Sequence, residues 1–196
     1  SDKTSLTSIV ALYDALDTYL ARSPKSQWNK KFKRSRPPEG EIEKLYREGV
    51  LLWDTYCKRF PPLQELKDSS ADDEVAAKYR HREGGHILFR PIGLLMSIKV
   101  VRNLMDHARL SREKAVLQLA KAPMQLSDDP WVNLLWDPTN KRMITTDENQ
   151  KAATKLLYYA VGGSLIDLKT TPDELRKELA GILNKAQNEV ALRTYA

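Results

Sequence analysis

The chain has 196 residues, 41% of them hydrophobic and 30% charged, with a net charge of +6. That length can bury a core without staples, and the composition excludes an intrinsically disordered chain. Cys57 is the only cysteine, which excludes an internal disulfide or a cysteine zinc cluster, and no apolar run nears the roughly 18 residues of a membrane span. A reducing cytoplasm is the expected compartment.

Helical periodicity runs through the chain. Leu6, Ile9, Val10, Tyr13, Leu16 and Leu20 recur at three- and four-residue steps, which predicts an amphipathic helix capped by Thr4 or Ser5 and ended by Ser23-Pro24. A loop over 24–40 closes at Pro37-Pro38. The next helix is expected from Glu41 to Phe60, with Ile42, Leu45, Tyr46, Val50, Trp53, Cys57 and Phe60 inward and Pro61-Pro62 as its stop. A short helix near 71–80 leads into the junction Tyr79 to Pro91. Pro91 suits a first helical turn, and Ile92, Leu95, Met96, Val100 and Leu104 predict a central buried helix to about His107.

Ser111 is expected to cap a short helix to Lys121. Asp129-Pro130 reads as a cap and a first-turn proline, opening a turn with Trp131, Leu134, Leu135 and Trp136. Asp137-Pro138-Thr139-Asn140 is a turn signature, with Lys141 to Thr145 as a possible short strand. Thr145 with Glu148 fits a capping box for a helix to Val161, stopped by Gly162-Gly163. Thr171-Pro172-Asp173-Glu174 opens a last helix to about Arg193. The expected class is all-α: an irregular bundle of about six to eight helices around a central apolar helix, with one small hairpin near 136–146.

Two stretches carry candidate chemistry. The first is the junction, which holds His81, His86, Arg80, Arg82, Arg90 and the pair Gly84-Gly85. Its histidines lack the i, i+4 helical spacing of a zinc pair, and only His107 remains as a third, so no metal is expected. It also lacks P-loop spacing, and Gly84-Gly85 explains itself as a sharp turn into the central helix. Its arginines either hold an anion at that helix start or pair with Asp72, Asp73 and Glu74; both readings stand. Cys57, on an apolar helix face, reads as packing rather than as a nucleophile.

The second stretch is the basic loop. Lys25, Lys30, Lys31, Lys33, Arg34 and Arg36 fall within twelve residues that contain no acid, interleaved with Trp28 and Phe32. From Asp147 onward acids and bases balance, so the excess charge is local. Lysine and arginine neutralise phosphates and aromatics stack on bases, which points to nucleic acid; the competing reading is a solvated loop anchored by its aromatics.

Four segments resemble the C-terminal helical portion of DndB-like proteins, which belong to the Asp-Gly-Gln-His-Arg (DGQHR) domain group associated with DNA phosphorothioation. They are Ser5 to Tyr13, Leu51-Leu52-Trp53-Asp54, Tyr79 to Leu95, and the block Asp129 to Trp136 with Lys141 to Ile144, Asn149 and Gly162-Gly163. The Asp-Gly-Gln-His-Arg motif itself is absent from the chain. The resemblance therefore implies a single helical domain over 1–196, the C-terminal part of a longer protein, with no activity of that motif carried over. It further implies a non-catalytic, cofactor-free role in DNA sulfur modification and its transcriptional regulation. Duplex DNA is the expected partner, through the six basic loop residues with Arg80, Arg82 and Arg90. The alternatives are an oligomerisation module for an N-terminal DGQHR domain and part of a nucleotide- or DNA-acting enzyme.

Overall fold

A computed structural model describes residues 4–21, 36–70 and 73–195. Among the described residues there are eight α-helices and one two-stranded sheet, an all-α architecture. The centre is α5 (Pro91–Asp106), which buries Leu94, Met96, Ile98, Val100, Val101 and Leu104. It packs against α1 (Ile9–Leu20), α6 (Arg112–Leu119) and α7 (Asp147–Ala160). A helix that is apolar nearly all round can be satisfied only by such enclosure.

α1 begins one turn later than expected. Ser8, not Thr4 or Ser5, caps it, accepting a hydrogen bond from the Ala11 amide at 3.2 Å. The helix buries Ala15 and Tyr19 but leaves Ile9, Val10 and Tyr13 in solvent, so half of its apolar stripe has no cover among the described residues. Its expected stop, Ser23-Pro24, lies outside the described residues.

α2 (Glu39–Arg59) starts directly after Pro38, with Glu39 and Glu41 in its first turn, where backbone amides favour carboxylates. Leu52, Thr55 and Tyr56 face the core. Tyr46 and Val50, expected inside, are exposed. α2 crosses α1 at Gly49, where an added β-carbon would stand 3.5 Å from Leu16.

Pro61-Pro62 stops α2 and also starts α3 (Pro61–Asp68), a helix the periodicity did not mark. α4 is a single turn (Val75–Tyr79). Ser111 caps α6 as expected, accepting from the Lys114 amide. Asp129–Pro130 is a cis bond followed by turns rather than a helical opening. Trp131 and Trp136 are both buried, and the Trp131 indole donates to the Pro123 carbonyl at 2.8 Å. Strands β1 (Trp136–Asp137) and β2 (Arg142–Met143) pair antiparallel, with Trp136 opposite Met143. The Asp137 carboxylate closes the hairpin by accepting from the Thr139 and Asn140 amides at 3.0 Å.

α7 is capped by Thr146, one residue after the expected Thr145. Its hydroxyl oxygen accepts from the Asn149 amide at 3.2 Å, and the Asn149 side chain donates to the Leu134 carbonyl at 2.8 Å. That second bond ties the cap to the tryptophan turns and decides the register. α8 (Pro172–Leu183) opens on the expected Thr171–Glu174 capping box. It ends at Asn184 in the left-handed conformation, ten residues short of expectation, because the chain turns back there. The tail then runs along α7, and the Tyr195 amide reaches the Ala160 carbonyl.

The off-by-one cap is testable by urea unfolding. Thr146→Ala should lower stability by about 1 kcal/mol, the usual worth of a cap, whereas Thr145→Ala should leave it nearly unchanged.

Candidate functional site

The Tyr79–Pro91 junction folds into a tight knot. Gly84 and Gly85 adopt φ of 111° and 77°, conformations that favour glycine. An added β-carbon on Gly85 would stand 2.2 Å from the Tyr79 carbonyl oxygen, which accepts the His86 amide at 2.8 Å. The segment then bridges to the chain near Gln125: the Ile87 amide donates to the Met124 carbonyl at 2.8 Å and Leu126 to Gly85 at 2.9 Å. A 3-10 turn over Ile87–Phe89 delivers the chain to Pro91.

His86 is buried, edge-on to Phe60, Tyr79 and Phe89 with ring centroids 5.9 to 6.3 Å away. Its Nδ1 accepts from the Leu88 amide at 3.2 Å, capping the 3-10 turn. Burial pulls its pKa from 6.5 down to about 4. His86 is therefore a neutral acceptor inside an aromatic cage. His81 is exposed, with its Nδ1 accepting from the Glu83 amide. The two histidines do not converge, and among the described residues no three of His, Cys, Asp and Glu gather as a metal-binding group.

Two of the junction arginines, Arg80 and Arg90, meet backbone carbonyls. Arg90 donates through Nε and Nη2 to the Gly84 carbonyl at 3.2 and 2.8 Å, and through Nη2 to the His81 carbonyl at 3.2 Å. Its guanidinium also lies 5.6 Å from the Trp136 ring. Burial, and after it the charge of Arg80, lowers the Arg90 pKa from its ordinary value. Arg80 donates to the Ser5 carbonyl and so fastens the start of the chain to the junction. Arg82 is exposed, beside an ion pair between Glu83 and Lys141. Asp73 accepts from the Ser70 amide, and Asp72 lies outside the described residues.

Of the basic loop, Arg36 is described: it is exposed and pairs with Glu39 at 3.3 Å. Lys25, Lys30, Lys31, Lys33 and Arg34 lie outside the described residues, as do Trp28 and Phe32. Cys57 is half-buried, and burial raises its thiol pKa, as expected of a packing residue.

Three features were missed by reading the sequence. Ile9, Val10 and Tyr13 on α1, and Tyr46 and Val50 on α2, are exposed apolar side chains that no described element covers. Arg112 links α6 to Glu48 of α2 at 3.3 Å beside the buried Tyr19 hydroxyl. A groove of about 360 Å³ runs between α5 and α7, floored by Ile92, Leu95 and Leu168 and edged by Lys99 and Lys151. Lys99 is the only charge between Pro91 and Val101 and was the available signal, but nothing local names its neighbour across the groove.

Compared with family models, curated proteins and solved structures, the chain matches none.

The His86 environment gives a stability prediction. Its folded pKa lies below its unfolded one, so the neutral ring contributes fully above pH 6.5, and stability falls as pH drops from 6.5 to about 4. The full loss is about 3 kcal/mol. Urea unfolding at pH 7 and pH 5 should show a steeper decline for the parent than for His86→Gln, which lacks the titrating ring; equal declines would contradict the buried neutral state.

Proposed function

We propose that this chain is a non-catalytic helical domain of a DndB-like protein that supports duplex DNA binding through the basic segment 25–36. One observation carries the reading: six positive residues and no acid within twelve positions, in a chain whose C-terminal quarter is charge-balanced. The segment joins α1 to α2, and Arg36 at its end is exposed, with an exposed carboxylate as its partner. Such surface pairs are weak and yield readily to a phosphate. Arg82 is exposed as well. Arg90 contributes by holding the fold, since its guanidinium already meets carbonyl oxygens, and Arg80 does so through its bond to the Ser5 carbonyl.

DNA affinity should then fall with salt by about 0.9 log units per log unit of salt for each phosphate neutralised. Replacing Lys30, Lys31, Lys33 and Arg34 together by Ala should flatten that slope, measured by fluorescence anisotropy on duplex DNA. An unchanged slope removes the segment from the interface.

A second reading rests on the apolar side chains of α1 and α2. Ile9 is 83% exposed and Tyr46 67% exposed, on faces that monomeric surfaces rarely leave bare. They favour a docking or oligomerisation module serving an N-terminal DGQHR domain. Light scattering distinguishes the two: a stable dimer that ignores DNA and is returned to monomer by Tyr13→Asp with Tyr46→Asp favours the module.

A further inference from the structure

We propose that the groove between α5 and α7 binds a medium-chain carboxylate, a single-chain amphiphile with a monoanionic head. The floor is apolar and only half-covered: Ile92 and Leu95 on α5 and Leu168 beyond α7. Lys99 follows Ile92 by seven residues, about 10 Å along the helix, and Leu95 by one turn, so the charge stands at one end of the apolar floor. The volume, about 360 Å³, lies within the range of small-ligand sites.

Charge complementarity selects the head. Four ionisable side chains line the groove: Lys99, Asp147, Lys151 and Lys155. Lys155 is neutralised outside it by Glu178 at 2.7 Å. Lys99 and Lys151 are exposed and make no ion pair or hydrogen bond among the described residues. With Asp147 the remainder is one positive charge, which a monoanion balances. A cationic amphiphile would be repelled by that charge, and an apolar ligand would gain nothing from it. The groove shares no described residue with segment 25–36, and the proposal does not rest on the DNA reading.

The probe is dodecanoate, held below its micelle concentration and titrated calorimetrically into the full chain. The expected result is saturable one-to-one binding that dodecyltrimethylammonium and acetate do not reproduce. Lys99→Gln with Lys151→Gln changes only exposed side chains and should weaken binding by about tenfold while leaving the thermal unfolding midpoint in place. Leu95→Ser should weaken it through the floor. The proposal is overturned if dodecanoate shows no saturation, if the cationic amphiphile binds equally well, or if the lysine variant binds like the parent. Cosedimentation with phosphatidic acid vesicles separates the sources. A chain that pellets with vesicles through the two lysines, yet ignores monomeric dodecanoate, reads a membrane surface and contradicts a free-amphiphile site.

Discussion

Arg90 ties the start of the central helix to the turn that precedes it. Its backbone carbonyl accepts the Leu94 amide at 2.9 Å and so begins the central helix. Its guanidinium reaches back to carbonyl oxygens of the preceding turn, at Gly84 and His81. Hydrogen bonds from a charged donor are among the stronger ones, about 1.5 to 3 kcal/mol each. They also satisfy the Gly84 carbonyl within a turn that has positive φ at Gly84 and Gly85. The approach to α5 depends on that turn, and α1, α6 and α7 pack on α5. Gly93 completes the fit: a β-carbon there would stand 2.2 Å from the Ile87 carbonyl oxygen, so the 3-10 turn and the helix can lie this close only with glycine.

The chemistry of the junction follows from the same packing. A histidine among three aromatic rings loses its hydration and stays neutral, and its one lone pair is spent on a backbone amide. Histidine, arginine and glycine side by side resemble the parts of a reactive site. Here they are the parts of a turn whose polar groups had to be satisfied inside the protein. The binding surfaces proposed above draw on other residues: the basic segment 25–36, the apolar faces of α1 and α2 that no described element covers, and the lysine-edged groove beside α5.

Much of the fold was legible in local patterns. The α5 stripe, the Thr171–Glu174 box, the Ser111 cap and the Asp137 turn each depend on residues within a few positions of one another. The errors arose where distant contacts decided. Thr146 outcompetes Thr145 because Asn149 is also anchored to Leu134, fifteen residues away. Tyr46 and Tyr13 have helical spacing for a core face, yet no described element covers them. Periodicity gives a face, not its neighbour. For the same reason the arginines were legible as important but not as carbonyl ligands, and the groove needed α7 to be placed beside Lys99.

The central claim is that the junction arginine serves architecture and not recognition. Arg90→Ala, studied in one preparation for urea stability and for the salt dependence of duplex DNA affinity, tests it most directly. The account predicts a loss of about 2 to 4 kcal/mol in stability, from several charge-assisted bonds, with the salt slope of the folded protein unchanged. A variant as stable as the parent whose salt slope flattens by about one phosphate contact would contradict it.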